Sequence, residues 1–353
     1  MPTDALLPAL TSILAAVFFL ALLDQWRERR HAYQLVWALG MLFYAVASGC
    51  EAVAGASGWN GALYRTWYLT GAVWTAGWLG LGTAFLLGRT RFGYTVAFLL
   101  AMAGMITVAA RNAYGDAGLA PWAYLVAALV LALAVGVETY FQDDRWPRFA
   151  AVAVVGASAL SLVLVATTSL PEPGYAVDPT THLPVATLFP PQLRLLTPFL
   201  NVTGGLSLLL GAMFSTYMFM PKRRVLPYSL DPTQPGDQFL FNLLIAPVAI
   251  VVNLLASLPG AVTAIARGRV HSRVPATILI AVGAFIPTLT DSLERFGATQ
   301  LFQVGKLLGV VFLLAGFLVS IEVFREIRIP FTGIRLVGGR GEDPTPEGAG
   351  PTD

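Results

Sequence analysis

The chain has 353 residues, of which 56% are hydrophobic and only 12% are charged. Soluble domains carry about 25% charged residues, so this composition is that of a membrane protein. The formal net charge of +2 excludes the concentrated basic surface that nucleic-acid binding needs. The single cysteine, Cys50, excludes an internal disulfide, and the three scattered histidines, at 31, 182 and 271, predict no metal site. The sequence indicates no cofactor.

Apolar stretches of roughly the 17–25 residues that cross a bilayer as helix recur along the chain. They do not alternate apolar and polar residues, as the strands of a transmembrane β-barrel would. The sequence therefore predicts an all-α, multi-pass protein of the plasma membrane, and we expect a prokaryotic source. In chain order the stretches are 5–23, 35–55, 62–88, 94–110, 119–137, 149–168, 194–220, 239–266, 275–290 and 301–323.

Basic residues in alternate connections predict the orientation, because Arg and Lys near membrane segments stay on the cytoplasmic side. The loops at 56–61, 111–118 and 169–193 are poor in both residues. These loops and the N-terminus are therefore predicted to lie outside. The basic connections follow the first, third, fifth and seventh stretches, at Arg27, Arg29 and Arg30, then Arg89 and Arg91, then Arg145 and Arg148, then Lys222, Arg223 and Arg224.

The stretch 239–266 is long enough to span but has basic clusters at both ends, with Arg267, Arg269 and Arg273 following it. Both of its ends are thus predicted to be cytoplasmic. Pro259-Gly260 is a turn signal, which favours a broken re-entrant or interfacial hairpin. The three arginines are then either contacts for anionic lipid headgroups or plain topological anchors.

This reading gives about nine transmembrane helices, with the C-terminus in the cytoplasm. If 239–266 spans instead, the last two helices invert. The predicted segments are a seven-helix unit at 1–221, a basic-flanked non-spanning hairpin insert at 222–274, a two-helix transmembrane hairpin at 275–328, and a disordered cytoplasmic tail at 329–353.

Two pairs of ionisable residues flank predicted outer turns at similar depth. Glu51 and Arg65 flank the first turn, and Asp291 and Lys306 flank the second. Each pair is predicted to close its own hairpin or to lie on a solute path. Lys306 lies about five residues inside an apolar run, and a charge within the membrane is costly enough to suggest function. The alternatives are snorkelling of its long side chain to the surface and neutralisation by Asp291.

Aromatic and small residues mark two further helices. Trp67, Trp74 and Trp78 share one face of the third stretch when projected at 100° per residue. That face is predicted either to line a pocket for an apolar or cationic ligand or to pack against neighbouring helices and lipid. In the seventh stretch, Asn201 begins a small-residue stripe and is predicted to form an interhelical hydrogen bond.

The sequence contains no catalytic motif, so we expect no enzyme activity. Inner-face carboxylates near Asp144 keep a lipid-modifying enzyme as a third alternative. The first seven stretches resemble, in hydropathy alone, the seven-helix sensory regions of bacterial histidine kinases, and no motif assigns the chain to a family. The leading expectation is a ligand-binding, sensory-like protein or an accessory subunit of a membrane complex, whose partners are lipids and another subunit or a small apolar ligand. The competing expectation is a secondary transporter or channel.

Overall fold

A computed structural model describes residues 3–141, 144–179, 183–220, 223–231, 233, 235–267, 273–295, 301–319, 327–328 and 335–336. The fold is helical. Its α-helices are α1 (Thr3–Arg29), α2 (Ala32–Ser57), α3 (Gly61–Trp67), α4 (Thr75–Leu86), α5 (Gly93–Ala109), α6 (Arg111–Tyr114), α7 (Ala120–Tyr140), α8 (Trp146–Thr167), α9 (Pro191–Phe219), α10 (Gly236–Ala266), α11 (Arg273–Arg295) and α12 (Leu301–Val319).

Three shorter elements complete the described secondary structure. A π-helical segment, Tyr68–Trp74, joins α3 to α4, so that 61–86 forms one continuous helix. A 3₁₀ turn covers Ala186–Leu188. Strands β1 (Ile327–Arg328) and β2 (Arg335–Leu336) pair antiparallel. Apart from the residues of β2, the tail predicted to be disordered lies outside the described residues.

In the described residues, nine helices are long and apolar enough to cross a membrane. The expected all-helical membrane architecture is confirmed at this level. The nine include the stretch Gly236–Ala264 but not the helix Gly93–Ala109, which is apolar but has only 17 residues. Over the residues that the structure describes, each of the ten predicted apolar stretches contains a helix.

The helix 61–86 is the most buried of the nine long helices. In its most apolar part 61% is buried, whereas in that of α7 only 22% is buried. Glycines let its α4 part approach α9 closely. A Cβ on Gly80 would overlap the backbone of Gly204, and a Cβ on Gly204 would overlap the backbone of Ala76 and Gly77. Small residues at a helix crossing allow this backbone contact, which is a common way to pack helices in membranes.

The connection from α8 to α9 covers one end of the bundle, which we call the capped end. Phe189 is buried there, and its ring stacks on Tyr68 at 4.2 Å and on Tyr64 at 5.0 Å between centroids. The hydroxyl of Tyr64 donates a hydrogen bond to the carbonyl of Val185. The end of the long loop before α9 thus packs into the bundle.

We call the opposite end the basic end, because the basic connections after α1, α4, α7 and α9 lie there. Two contacts at this end join neighbouring parts of the chain. Arg91, between α4 and α5, donates to the carbonyl of Thr139 at the end of α7 at 2.6 Å. The guanidinium of Arg273, at the start of α11, lies 4.7 Å from the ring centroid of Phe219 at the end of α9.

The predicted break at Pro259-Gly260 is wrong, because α10 is a single helix from Gly236 to Ala266. Each of its internal prolines, Pro247 and Pro259, removes one backbone donor. A turn would leave several backbone groups without internal partners in apolar surroundings, whereas a continuous helix satisfies nearly all of them. The segment is therefore one helix and not a hairpin.

Several contacts of the described part of α10 involve the basic end. The ring of Phe239 packs edge-on against Tyr140, 5.5 Å between centroids, where α7 ends. Fourteen residues further on, the Asn253 side chain accepts hydrogen bonds from the backbone N–H groups of Val225 and Leu226 at 2.7 and 2.9 Å, just beyond α9. Ala261 packs beside the first residues of α11. The helix therefore runs across this end of the bundle.

Candidate functional site

A buried ion pair joins α2 to α12 near the capped end. The Nζ atom of Lys306 lies 2.6 Å from Oε2 of Glu51. The Lys306 side chain is 11% exposed and that of Glu51 is 6% exposed. The two residues are 255 positions apart in the chain. This contact fixes the C-terminal pair of helices against the N-terminal part of the bundle.

The carboxylate of Glu51 accepts two further hydrogen bonds. The indole N–H of Trp67, in α3, donates to Oε1 at 2.8 Å. The amide of Gln303, one turn before Lys306, donates to Oε2 at 2.9 Å. Three side chains from two helices thus donate to one carboxylate, which is the arrangement that a buried charge needs in order to be tolerated.

The surroundings of the pair combine aromatic contacts with two unpartnered polar atoms. The hydroxyl of Tyr44 donates to the backbone carbonyl of Lys306 at 3.1 Å, and the ring of Phe302 lies 5.4 Å from its Nζ. The hydroxyl of Ser48, one turn before Glu51, is buried without a hydrogen-bond partner, as is the carbonyl oxygen of Gln303. We call Glu51, Lys306, Gln303, Trp67 and Tyr44 the ion-pair cluster.

Glu51 pairs with Lys306 and not with Arg65, the partner suggested by the first turn. Arg65 instead donates to the backbone carbonyls of Val165 and of Thr168, the latter at 2.6 Å, where α8 ends. A guanidinium beside the last carbonyls of a helix stabilises its negative end. Asp291 belongs to α11, but its side chain lies outside the described residues. Lys306 is buried and does not snorkel.

The three tryptophans of the helix 61–86 donate hydrogen bonds to two different helices, α2 and α8. Trp67 binds Glu51 on α2, whereas Trp74 donates to Ser161 at 2.9 Å and Trp78 to Ser158 at 3.1 Å, both on α8. Each indole N–H therefore has a protein acceptor. The rings of Trp74 and Trp78 also pack against Phe43, at 5.0 and 5.7 Å between centroids.

A π-helical segment lies between Trp67 and Trp78. Its i→i+5 hydrogen bonding inserts an extra residue into the helical turn, so a 100° projection does not hold across it. The hydroxyl of Thr75 donates to the carbonyl of Thr70, five residues earlier, at 2.6 Å. Trp67 lies at the end of the helix nearest Glu51, whereas the other two tryptophans lie two to three turns further along it.

The remaining predicted site residues lie elsewhere. Asn201 is exposed on α9, because it lies at the flank of the face on which Gly204 and Gly211 pack. Arg267 is exposed beyond α10, and Arg273 covers Phe219 at the basic end. Arg269 lies outside the described residues.

Sequence reasoning did not identify Gln303 and Tyr44. Gln303 precedes Lys306 by three residues and therefore shares its face of α12, a signal that was present in the sequence. Tyr44 shares a face of α2 with Glu51, seven residues later, but nothing in the sequence connects that face to α12. Only the folded chain brings the two faces together.

The chain matches no protein-family model, no curated protein and no solved structure. Within the part of the chain that the structure describes, no three His, Cys, Asp or Glu side chains come together as a metal site. The carboxylate of Asp144 lies 3.9 Å from Arg89 on the exposed surface. The chemistry of the ion-pair cluster is accordingly that of charge neutralisation and hydrogen bonding.

The ion pair predicts strong thermodynamic coupling between its two residues. Lys306→Met or Glu51→Gln alone leaves a buried group without its partner, which costs about 3–5 kcal/mol in the free energy of unfolding. The double variant removes both charges and should lose clearly less than the sum of the two single losses. Denaturant unfolding of the purified protein in detergent measures all four free energies.

The exposed pair Arg89 and Asp144 supplies the matched control, because its N–O distance is 3.9 Å and its side chains are 90% and 61% exposed. Arg89→Gln should change the free energy of unfolding by less than about 1 kcal/mol. Additive losses at Glu51 and Lys306, or losses no larger than that of the control, would contradict the assignment.

Proposed function

We propose that this chain is a multi-pass membrane protein of sensory or accessory type, in which the ion-pair cluster couples the N-terminal helices to α11 and α12. The observation that carries the proposal is the buried contact between Glu51 and Lys306. A lysine and a carboxylate inside a membrane bundle are expensive to bury, and such residues mark functional positions by default. Their removal would free the C-terminal hairpin to move.

The engagement of Glu51 by protein donors favours a coupling role over a solute path. Its carboxylate already accepts from Lys306, Trp67 and Gln303. Of the roughly four acceptor sites of a carboxylate, these donors leave one for a solute. A switch uses such an arrangement, since a small displacement of α12 exchanges one set of hydrogen bonds for another.

The partner that this proposal implies is a second membrane subunit or a small apolar ligand. The long helices keep much of their apolar surface exposed, with α7 the least buried of the nine. Lipid covers such surface by default, and a partner helix binds to the same surface through close packing. We place the protein in the plasma membrane of a prokaryotic cell.

We also propose the orientation given by the basic residues, with the N-terminus outside and the basic end in the cytoplasm. In this arrangement α10 lies in the membrane surface, and the C-terminus is cytoplasmic. The contacts of Phe239 and Asn253 with the same end of the bundle support it. Arg267, Arg269 and Arg273 then lie at the depth of the lipid headgroups.

The exposed face of α10 supports this placement. Its exposed large apolar side chains lie one, three or four positions apart along the helix and form one apolar stripe. Acyl chains of the inner leaflet would cover that stripe. Its members are Leu240, Phe241, Leu244, Val248, Val251, Leu255, Leu258 and Val262.

A secondary transporter or channel is the second candidate, and the unpartnered atoms beside the ion pair favour it. The hydroxyl of Ser48 and the carbonyl oxygen of Gln303 have unused hydrogen-bonding capacity within a turn of Glu51 and Lys306. Buried carboxylates such as that of Glu51 carry protons in the relays of membrane pumps, and polar groups beside them stabilise the exchange. In this version the pair breaks during each transport cycle.

Copurification tests the leading proposal. The full chain, extracted in mild detergent, should retain a stoichiometric membrane subunit or apolar molecule that mass spectrometry detects. Lys306→Met should release it, whereas Arg111→Gln, at an exposed site away from the cluster, should retain it. A lone protein without any bound molecule would contradict the proposal. Proton flux into reconstituted vesicles that Lys306→Met abolishes would establish the transport version instead.

Cysteine labelling tests the orientation. In a Cys50→Ala background, Asp237→Cys and Arg267→Cys place one thiol at each end of α10. Both should react with a membrane-impermeant maleimide only after the cells are permeabilised, because both ends lie on the cytoplasmic side. Glu172→Cys, in the loop of the capped end, should react in intact cells. Reaction of positions 237 and 267 from opposite sides would show that α10 spans.

A further inference from the structure

Helix α3 is a short unit with irregular backbone at each end. It follows a turn at Gly58, whose φ of 89° lies in the left-handed region. Asn60 caps its start, since the Asn60 side chain accepts from the N–H groups of Ala62 and Leu63, both at 3.0 Å. At its other end it continues directly into the π-helical segment Tyr68–Trp74, which we call the π segment. The π segment thus separates α3 from the regular helix α4.

The π segment holds one residue more per turn than an α-helix. The carbonyl of Thr70 accepts from the backbone N–H and from the hydroxyl of Thr75, five residues later. In the regular helix α9, by contrast, the hydroxyl of Thr203 donates to the carbonyl of Phe199, four residues earlier, at 2.8 Å. Such segments have poorer backbone geometry and occur mostly at functional sites. Because one residue of an α-helix corresponds to about 100° of rotation, conversion to α-helix would turn α3 by about that angle relative to α4.

The side chains of α3 contact two distant parts of the chain. Tyr64 donates to the carbonyl of Val185 and stacks on Phe189, both in the loop before α9. One turn later, the indole of Trp67 donates to Glu51 of the ion-pair cluster at 2.8 Å. Since both side chains belong to one short helix, a rotation of α3 breaks the two contacts together.

Contacts with neighbouring helices stabilise the π form. Gly71, within the π segment, lies so close to α2 that a Cβ there would be 2.9 Å from that of Ala47. Arg65 of α3 donates to the carbonyl of Thr168 at the end of α8. Glycine also has a low helix propensity, so the local sequence does little to hold this backbone as α-helix. The π form therefore depends on what α3 touches.

We propose that the π segment is a conformational switch that couples the loop before α9 to the ion-pair cluster. The proposal rests on the coupling role proposed for that cluster. In the π form, α3 holds the loop through Tyr64 and Glu51 through Trp67. In the α form, α3 turns and gives up both contacts. Loosening of the loop at the capped end therefore removes one donor from the carboxylate that Lys306 shares.

NMR of the indole N–H groups of the full chain in detergent tests the coupling. The Trp67 signal is assigned by its absence in Trp67→Phe, and in the unaltered protein it should be a single signal of a hydrogen-bonded indole. Phe189→Leu removes the stack on Tyr64 but keeps an apolar side chain. We expect it to produce a second Trp67 signal, without a carboxylate acceptor, in about 10% of the molecules or more. Trp78, which lies beyond the π segment, should keep its single signal.

Deletion of Gly71 separates coupling from mere proximity. It removes the extra residue and leaves a continuous α-helix in which the residues on both sides keep their partners. Trp67 should therefore still bind Glu51, but Phe189→Leu should no longer produce the second signal. A second signal in both backgrounds would mean that the leucine disturbs Trp67 directly, which would overturn the switch.

Gly71→Ala should favour the α form, because the new Cβ overlaps that of Ala47 and alanine has the higher helix propensity. It should give the second Trp67 signal without any change in the loop sequence. The same rotation releases the loop, so hydrogen exchange of the Val185 and Phe189 amides should become about tenfold faster.

Gly77→Ala is the matched control. It lies in the regular part of the same helix, where a Cβ would be 3.0 Å from the flexible side chain of Leu200. It should change neither the Trp67 signal nor the exchange of the loop amides.

Two results would overturn the proposal. One is a single, unchanged Trp67 signal in Phe189→Leu, and the other is faster loop exchange in Gly71→Ala without a second Trp67 signal. Tyr64→Phe, which deletes only the hydroxyl bound to Val185, should give a smaller second signal and keeps the test decisive if the other variants do not fold. Copurification of a partner is tested through Lys306 and not through these variants, so the proposed function and the switch can fail separately.

Discussion

The cost of burying charge in an apolar bundle determines how the two parts of this chain meet. An unpaired Lys306 or Glu51 would be strongly unfavourable at this depth, whereas the pair at 2.6 Å is neutral as a unit. The pair forms only if α12 lies beside α2, with Trp67 of α3 close enough to donate to the same carboxylate. The C-terminal hairpin also packs on α9 and α1, so the ion pair adds a specific contact to a position that apolar packing supports.

The helices could be predicted from the sequence, because hydropathy measures what each segment needs to bury, and over the described residues each of the ten apolar stretches contains a helix. The charge pairing could not. Glu51 and Arg65, like Asp291 and Lys306, flank short turns, and sequence proximity suggested local pairs. Arg65 binds the carbonyls at the end of α8, which leaves Glu51 for a lysine 255 residues away. Which residues so far apart in the chain become partners depends on how the helices pack, and this packing cannot be read from a single sequence.

Backbone irregularities account for the other differences. The π-helical segment Tyr68–Trp74 lies between Trp67, which donates to Glu51, and Trp78, which donates to α8, so a 100° projection does not relate the two. Conversely, the Pro-Gly pair in α10 predicted a break that the helix does not have. Local turn propensity there is weaker than the need to satisfy backbone groups in apolar surroundings.

The distance between Lys306 and Glu51 in a lipid bilayer tests the central claim most directly. The chain has only two lysines, so Lys222→Arg leaves Lys306 as the sole source of a ¹⁵Nζ signal. When glutamate is labelled with ¹³C at its side-chain carboxyl carbon, solid-state NMR should show strong dipolar dephasing of the ¹⁵Nζ signal, as the 2.6 Å contact requires. Glu51→Gln should abolish this dephasing. A lysine signal without dephasing in the unaltered pair would place Lys306 away from Glu51 and contradict the account.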